Sequence, residues 1–409
     1  MKKLVILGAG TAGTIMANKL RKAYKKEELE ITIVDQIKTH YYQPGFLFIP
    51  FEMYTEKEIT KTISEFIPND VKLIYSEIDR VYGENNEVYH KDGVVLKYDF
   101  LIIATGTRID PEETPGMKDE LWFKNIFDFY TIEGCLALAD FFKTWQGGEL
   151  VINIADMPIK CPVAPLEFAM LADAFFTKKG IRNKVNISYV TPLSGAFTKP
   201  KASAMLSDLL VKKNIKIIPD FYIERVDNTT KKIISYDEKE IAFDCLITIP
   251  VHKGDAMIGR SGLGDDMDFA LTDKFTLQST KFNNIFVIGD ATNIPASKAG
   301  SVAHFAADVL TENFKCAMEN KPFTERFDGH ANCYIETGYG KGALIDFNYD
   351  TEPLTGVFPM SVIGPFALLK ESRINHWGKL FFKWIYWNIL LKGRHLPVSS
   401  KMTMTGKKL

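Results

Sequence analysis

The first 35 residues of the chain predict a strand, a glycine-rich turn, a helix and a second strand. Residues 4–7 are apolar, the turn Gly8-Ala9-Gly10-Thr11-Ala12-Gly13 follows, and the strand predicted at residues 31–34 ends in Asp35. In such a unit the glycines allow a tight turn and close approach of a pyrophosphate, the helix N-terminus offers N–H groups, and the acidic residue binds a ribose hydroxyl. The sequence therefore predicts a Rossmann-type dinucleotide site formed by Gly8, Gly10, Thr11, Ala12, Gly13 and Asp35.

Two later strands end in short motifs that indicate which dinucleotide is bound. The strand predicted at residues 98–103 ends in Ala104-Thr105-Gly106, and the strand predicted at residues 286–288 ends in Gly289-Asp290. Both motifs resemble those of the FAD domain in flavoproteins with two dinucleotide-binding domains, where the aspartate contacts the ribityl chain. The resemblance implies FAD as the cofactor and a cofactor contact for Asp290, which could equally cap a helix.

A second unit of the same type is predicted in mid-chain, but its nucleotide-binding turn is missing. The strand at residues 150–154 and the helix at residues 166–176 are joined by a loop that contains no glycine. Pro162 and Pro165 have no N–H group to offer a phosphate. The next strand ends in Thr191-Pro192 rather than in an acidic residue. We therefore expect a second Rossmann-like domain that does not bind a nicotinamide nucleotide.

The altered loop carries Cys161, and Cys333 follows in a second stretch that reads as a turn. A free cysteine is often only a small buried hydrophobic residue. A flavoprotein without a nicotinamide site needs another electron donor, however, and a thiol pair can pass two electrons from a sulfur compound. The five cysteines contain no C-x-x-C pair and the seven histidines are scattered, so neither a metal site nor a disulfide framework is predicted.

Several segments together resemble the sulfide:quinone oxidoreductase family. They are residues 42–45, 160–162 with Pro165 and Glu167, 295–300, 332–338 and 376–377. The resemblance covers nearly the whole chain. It implies an FAD-dependent enzyme that oxidises sulfide to polysulfide or sulfane sulfur through Cys161 and Cys333 and reduces a membrane quinone. It also implies that Cys333 attacks the flavin and that Glu167 is the general acid–base. Lys298 could approach the flavin pyrimidine, or it could be an ordinary lysine of a surface loop.

The chain departs from the usual family pattern at one cysteine. The family carries a third cysteine just before a T-x-E helix start, whereas Tyr130 precedes Thr131-Ile132-Glu133 here. Cys135 lies one helical turn further along and is interpreted as structural. Whether the flavin is covalently linked is left open by this departure.

The C-terminal region combines an apolar helix with positive charge. Residues 364–409 contain nine Lys or Arg and one acidic residue. A helix predicted at residues 377–392 has a wide apolar face, made by Trp377, Leu380, Phe381, Trp384, Trp387 and Leu391, opposite a stripe of Lys379, Lys383 and Tyr386. Such a helix is typical of proteins that lie on a membrane surface, although it could instead pack against the body of the protein. The broken apolar segment 357–369 and the absence of an 18-residue apolar run fit a monotopic arrangement.

The predicted fold class is α/β, with two Rossmann-like domains as in glutathione reductase and C-terminal amphipathic membrane-binding helices. We expect an FAD domain at residues 1–110 and 245–325, the second domain at 111–244 and the C-terminal region at 326–409. Expected partners are sulfide, a membrane quinone, a bilayer surface and a second copy of the chain in a homo-oligomer, with no nucleic acid. We expect a peripheral membrane protein without a signal peptide. Alternative functions are a type 2 NADH:quinone dehydrogenase and the flavoprotein subunit of a flavocytochrome c sulfide dehydrogenase.

Overall fold

A computed structural model describes residues 1–359 and 364–408 of the 409-residue chain. Part of the apolar segment predicted at 357–369 therefore lies outside the described residues. The α-helices in the described part are α1 (Thr11–Ala23), α2 (Glu56–Ile59), α3 (Ile132–Thr144), α4 (Ala164–Lys178), α5 (Pro200–Lys212), α6 (Ala256–Arg260), α7 (Gly300–Met318) and α8 (Arg373–Ile385).

The first parallel sheet contains the glycine-rich turn. Its strands, in spatial order, are Ile285–Val287, Phe100–Ile103, Lys2–Leu7, Leu29–Asp35 and Lys72–Tyr75. Runs of β-branched and other apolar residues form these strands because helices and loops cover the sheet on both faces. The carboxyl ends of the strands bring the motifs that begin at Gly8, Ala104 and Gly289 to one edge.

The second parallel sheet repeats this architecture. Its strands, in spatial order, are Ile126–Phe127, Cys245–Ile249, Gly148–Ile154, Val185–Val190 and Ile215–Ile218. The two sheets confirm the predicted α/β fold class with two Rossmann-like units. The predicted boundary between residues 244 and 245 is wrong, because Cys245–Ile249 pairs with Gly148–Ile154. The second unit therefore extends to about residue 250.

Smaller antiparallel sheets decorate the two units. They comprise Thr39–Tyr41 with Thr60–Thr62, Ile78–Tyr82 with Glu87–His90 and Val95–Lys97, Thr107–Asp110 with Val251–Gly254, and Ile223–Asp227 with Lys232–Ser235 and Glu240–Ala242.

A mixed sheet forms the C-terminal region. Its strands, in spatial order, are Ala331–Gly338, Lys341–Phe347, Phe366–Leu368, Thr355–Phe358 and Lys407–Lys408. Cys333 lies within the first of these strands and pairs with Ile345. The prediction that Cys333 lies in a turn is therefore wrong. Its strand packs along α4, the helix that follows Cys161.

Buried charges hold the last strand of this sheet. The Lys407 ammonium lies 2.6 Å from one carboxylate oxygen of Asp346, and the His330 ring lies 2.7 Å from the other. The side chains of Asp346 and Lys407 are 0% and 1% exposed. Asn332 also donates to Asp346, so this charge cluster contacts the residue next to Cys333.

Helix α8 ends at Ile385, seven residues before the end of the helix predicted at residues 377–392, and part of the predicted apolar face is buried. Its N-terminus is capped by Ser372, and it passes at Tyr386–Leu390 into a π-helical turn. This turn changes the side-chain register, so Trp387 and Leu391 are buried although they share the predicted apolar face. A stripe of apolar side chains is exposed on α8, namely Ile374, Trp377, Phe381 and Trp384.

The stripe predicted to oppose that face points largely into the protein. Lys379 and Tyr386 are only 9% and 2% exposed. Both belong to the wall of the cavity described below. None of the helices in the two described ranges is long and apolar enough to cross a membrane.

Candidate active site

One cavity of about 330 Å³ extends from the glycine-rich turn to α8. Most of the residues predicted to bind FAD or to act in catalysis line it. They are Gly8, Gly10, Thr11, Ala12, Asp35, Ala104, Thr105, Gly106, Cys161, Glu167, Gly289, Asp290 and Lys298. Gly13 and Cys333 are predicted site residues that do not line the cavity.

The glycine-rich turn has the geometry that a dinucleotide requires. Gly8 has φ +95°, and a Cβ there would lie 2.5 Å from the Ala104 carbonyl oxygen. A Cβ at Gly13 would lie 1.9 Å from the Gly8 carbonyl oxygen, so this glycine serves helix packing. A Cβ at Gly10 would meet no described atom within 4 Å, because that side of the turn opens into the cavity.

Asp35 connects the end of its strand to this turn. One carboxylate oxygen accepts a hydrogen bond of 2.6 Å from the Ala9 N–H, and the other accepts one of 3.0 Å from the Ile37 N–H. Burial raises the pKa of Asp35, and the backbone N–H donors oppose that shift. The carboxylate therefore fixes the turn and still borders the cavity.

The residues along the cavity fit an FAD. The hydroxyl oxygens of Thr105 and Thr107 are buried without a hydrogen-bond partner among the described residues, and both residues line the cavity. Buried polar atoms normally have partners. A ribityl or phosphate oxygen at this position would satisfy them. The glycine-rich turn and Asp35 would hold the nucleotide half, while Gly289 and Asp290 would hold the flavin half.

Lys298 forms part of the wall at the flavin end. Its ammonium donates hydrogen bonds of 2.7 Å to the carbonyl oxygens of Asp290 and Thr292. Burial lowers the pKa of Lys298 to about 8 and raises the pKa of Asp290. Lys298 thus lies in the cavity wall rather than in a surface loop, and its ammonium is bound to two backbone carbonyls.

Cys161 lies in the loop that replaces the second nucleotide-binding turn. Its φ is +49°, its N–H donates a 2.6 Å hydrogen bond to the Lys298 carbonyl, and its own carbonyl accepts one from Ala164 at the start of α4. This backbone geometry turns the thiol into the cavity. Burial and the nearby Glu167 carboxylate raise the pKa of Cys161 to about 12, against the effect of the Lys379 ammonium.

Cys333 lies behind Cys161 on the strand that packs against α4. It is 8% exposed, and both cysteines belong to one apolar cluster. Burial raises the pKa of Cys333, and a negative charge on Cys161 raises it further. All five cysteines fall within the described residues, and each is a free thiol. Cys333 therefore lies near enough to Cys161 for the charge of one thiolate to affect the other.

Glu167 is a fully buried carboxyl group in the first turn of α4. One carboxylate oxygen accepts hydrogen bonds from the Glu336 N–H (2.7 Å) and the Lys379 ammonium (2.8 Å). Its other oxygen has no hydrogen-bond partner among the described residues. Burial raises the pKa of Glu167, and Lys379 opposes this shift. Such a carboxyl group beside a thiol can accept and release a proton.

Lys379 is a residue of the site that the sequence does not reveal, because its position predicts only a stripe opposite the apolar face of the helix. Its ammonium also donates to the Tyr334 carbonyl oxygen at 3.0 Å, which joins α8 to the strand of Cys333. The spacing of Lys379 and Tyr386 indicates that both share one side of a helix. It does not indicate that this side faces a cavity.

Tyr386 was assigned to the same stripe and was also missed. Its hydroxyl lies 2.7 Å from the Thr11 hydroxyl and 2.7 Å from a ring nitrogen of His40. Burial lowers the pKa of His40 to about 4, so the ring is neutral at ordinary pH. The hydroxyl joins the C-terminal helix to the glycine-rich turn.

Tyr130, at the position of the missing third cysteine, lines the cavity, and its hydroxyl lies 3.5 Å from the Cys161 carbonyl oxygen. Cys135 is buried, with its thiol directed to the Ile132 carbonyl oxygen of its own helix. This geometry supports the interpretation of Cys135 as structural.

Comparisons with known proteins find one family model and several relatives that are similar to this chain. Residues 2–140 match the family model described as pyridine nucleotide-disulphide oxidoreductase. The chain is 27% identical over 398 residues to the mitochondrial sulfide:quinone oxidoreductase of Dictyostelium discoideum, covering 96% of this chain and 86% of that protein. It is 24% identical over 405 residues to a type II NADH:quinone oxidoreductase of Staphylococcus aureus, covering 91% of this chain and 97% of that protein.

A solved structure is similar over the same extent. The fold superposes on the sulfide:quinone oxidoreductase of Aquifex aeolicus with a TM-score of 0.79 at 19% identity, covering 96% of this chain and 92% of that chain. This similarity extends across both Rossmann-like units and into the C-terminal region.

Proposed function

We propose, from the place of this chain among the sulfide:quinone oxidoreductases, that it oxidises sulfide and delivers the electrons through FAD to a membrane quinone. One observation carries the proposal: Cys161 occupies the turn in which an NADH-dependent relative would bind nicotinamide nucleotide, and Cys333 lies near enough for its thiol to respond to the charge of Cys161. The rival NADH dehydrogenase function requires a phosphate-binding turn there, and Pro162 and Pro165 remove backbone donors from that loop.

The cysteines supply the sulfur chemistry. In the oxidised enzyme, hydrosulfide attacks a Cys161–Cys333 disulfide, which leaves a persulfide on one residue and a thiolate on the other. Bound FAD provides the two-electron acceptor that links this exchange to a quinone. The persulfide passes its outer sulfur to a second hydrosulfide, which leaves as hydrodisulfide, and Glu167 takes up the proton released. The two cysteine sulfurs then give up two electrons as their disulfide forms again. Cys333 is buried and Cys161 is half-buried in the cavity wall, so a neighbouring group is needed to accept the proton in each turnover.

Lys379 stabilises the negative charge, and Glu167 binds the proton, that these steps produce. The ammonium of Lys379 bonds one oxygen of Glu167 and is the cation that favours the thiolate of Cys161. The other oxygen of Glu167 is free to take the proton of hydrosulfide. We propose that the carboxyl group holds this proton while the electrons leave.

The membrane surface is proposed as a partner because of the exposed stripe on α8. Trp377, Phe381 and Trp384 are 66%, 56% and 52% exposed, and they follow one another at helical spacing. Formation of a homo-oligomer remains a prediction from the sequence.

Replacing Trp377 and Trp384 together by glutamine is expected to reduce binding to anionic liposomes at least about tenfold, because burial of each aromatic ring in lipid contributes more than 1 kcal/mol. Co-sedimentation with vesicles measures the change. The control is a Tyr222→Gln, Tyr236→Gln double variant, since those tyrosines are also strongly exposed but lie far from α8 in sequence. Equal binding by the tryptophan variant and the wild type would contradict the proposed membrane face.

The function itself is tested by stopped-flow mixing of the FAD-loaded protein with sulfide under anaerobic conditions, followed by decylubiquinone. We expect rapid bleaching of the flavin absorbance by sulfide and its return with the quinone. NADH at the same concentration should leave the absorbance unchanged. Rapid bleaching by NADH without bleaching by sulfide would establish the rival function.

A further inference from the structure

We propose that Tyr386 is a positioning residue for the cofactor: its hydroxyl holds the glycine-rich turn in the conformation that binds the FAD pyrophosphate. The inference goes beyond the proposed function, because it concerns how the chain retains FAD and not which substrate reduces it. Tyr386 reaches the turn from the end of α8, 375 residues away from Thr11 in sequence.

The Tyr386 hydroxyl is the centre of a buried hydrogen-bond network beside the turn. Its oxygen lies 2.7 Å from Thr11 Oγ1 and 2.7 Å from His40 Nε2. The Tyr386 and His40 side chains are buried. Thr11 is the first residue of α1 and lines the cavity. The network therefore connects the C-terminal region to the N-terminus of a helix that a pyrophosphate would approach.

The chemistry of the three side chains defines which groups donate. Burial lowers the pKa of His40 to about 4, so the ring is neutral and carries one N–H. A hydrogen bond to the backbone of Ala9 opposes that shift, which identifies the ring as the donor and the Ala9 carbonyl as the acceptor. His40 Nε2 then accepts from the Tyr386 O–H, and the Thr11 O–H donates to the Tyr386 oxygen. Tyr386 thus holds Thr11 directly and Ala9 through His40.

The network fixes the turn without adding charge to it. Burial raises the pKa of Tyr386, so the phenol keeps its proton at neutral pH. The Ala9 N–H donates to the Asp35 carboxylate at 2.6 Å, so Ala9 is held at its N–H and at its carbonyl. The neutral phenol and imidazole do not repel a phosphate, and the backbone N–H groups at the start of α1 remain to attract it.

Contacts other than this hydroxyl anchor the segment that carries Tyr386. Trp387 stacks on Phe66, with ring centroids 5.2 Å apart. Lys22, in the last turn of α1, donates a 3.0 Å hydrogen bond to the Gly393 carbonyl oxygen. The C-terminal segment therefore contacts α1 near both of its ends. A phenylalanine at position 386 would keep the ring in place and remove only the hydrogen bonds.

A turn that is held before the ligand arrives loses less conformational freedom on binding. When such a contact is removed, most of the change in affinity appears in the dissociation rate. We therefore expect FAD to leave Tyr386→Phe about tenfold faster than the wild type, since two net hydrogen bonds are lost.

The test starts from full-length holoenzyme that is diluted in the presence of phosphodiesterase, which converts released FAD to the more fluorescent FMN. Tyr189→Phe is the matched control, because Tyr189 is fully buried and its hydroxyl donates to the Ala196 carbonyl oxygen at 3.2 Å, away from the cavity wall. Its FAD release should stay within about twofold of the wild type. Far-UV circular dichroism should remain constant during release from both variants, which shows that FAD leaves a folded protein.

A double-mutant cycle separates this specific contact from a general loosening of the protein. Thr11→Val removes the partner hydroxyl and should also accelerate release. In the Thr11→Val background, Tyr386→Phe should add a factor of about three or less, because one of its two hydrogen bonds is already absent.

Wild-type release from Tyr386→Phe, or an equal factor for that substitution in both backgrounds, would overturn the inference. Failure of sulfide to reduce the wild type would overturn the proposed function alone, since the release of FAD requires no substrate.

Discussion

Cys161→Ser is expected to lose sulfide-driven reduction of FAD by a factor of about 10⁴ or more, because no other group in the cavity can exchange sulfur with hydrosulfide. Cys333→Ser should give a similar loss, since the exchange needs both sulfurs. Anaerobic stopped-flow absorbance of the flavin measures the rate. Reduction by dithionite should be unaffected, which shows that FAD is still bound.

Cys316→Ser is the matched control for this experiment. Cys316 is a free, half-buried thiol on α7, and it does not line the cavity. Its replacement should leave the reduction rate within about twofold of the wild type. A Cys161→Ser protein that is reduced by sulfide at the wild-type rate would contradict the proposed sulfur relay.

Lys407→Met is expected to lower the free energy of unfolding by about 3–5 kcal/mol, because it leaves the Asp346 carboxylate buried without its ammonium partner. Urea unfolding followed by intrinsic fluorescence measures the change. Lys408→Met is the control, since Lys408 is exposed and adjacent. The double variant Lys407→Met, Asp346→Asn should recover part of the loss, because the amide carries no charge and its oxygen can still accept from His330 and Asn332.

The pH dependence of this effect has a defined sign. Burial raises the pKa of Asp346, but His330 and Lys407 outweigh it and hold the pKa below the ordinary 3.8. A carboxyl group of this kind contributes stability above its unfolded-state pKa and loses it as the pH falls through the folded-state pKa. The difference between the wild type and Lys407→Met should therefore be full at neutral pH and shrink below about pH 4. A difference that grows on acidification would contradict the assignment.

Those parts of the site that depend on adjacent residues could be predicted from the sequence. Gly8, Gly10 and Gly13 form one turn between a strand and a helix, and their spacing determines their roles whatever the rest of the chain does. The same holds for the loop of Cys161, where missing glycines and added prolines exclude a phosphate site locally. These predictions needed no knowledge of tertiary packing.

Predictions that depend on tertiary packing were less successful. Lys379 meets Glu167 across 212 residues, and nothing in the helical pattern of α8 indicates which side faces the body. The π-helical turn at Tyr386–Leu390 shifts the side-chain register within one turn, which a regular 3.6-residue wheel cannot represent. The prediction of a turn at Cys333 is wrong, since its segment forms a strand by pairing with residues further along the chain.

Helix α8 presents Trp377, Phe381 and Trp384 outward and Lys379 inward. The width of an α-helix with its side chains is about 10–12 Å. A hydrophobic electron acceptor dissolved in the lipid beside the exposed side of α8 would thus lie about one helix diameter from the cavity lined by Lys379. Such an acceptor would need no aqueous passage at all, and its supply would depend on lateral diffusion in the bilayer rather than on its solubility in water.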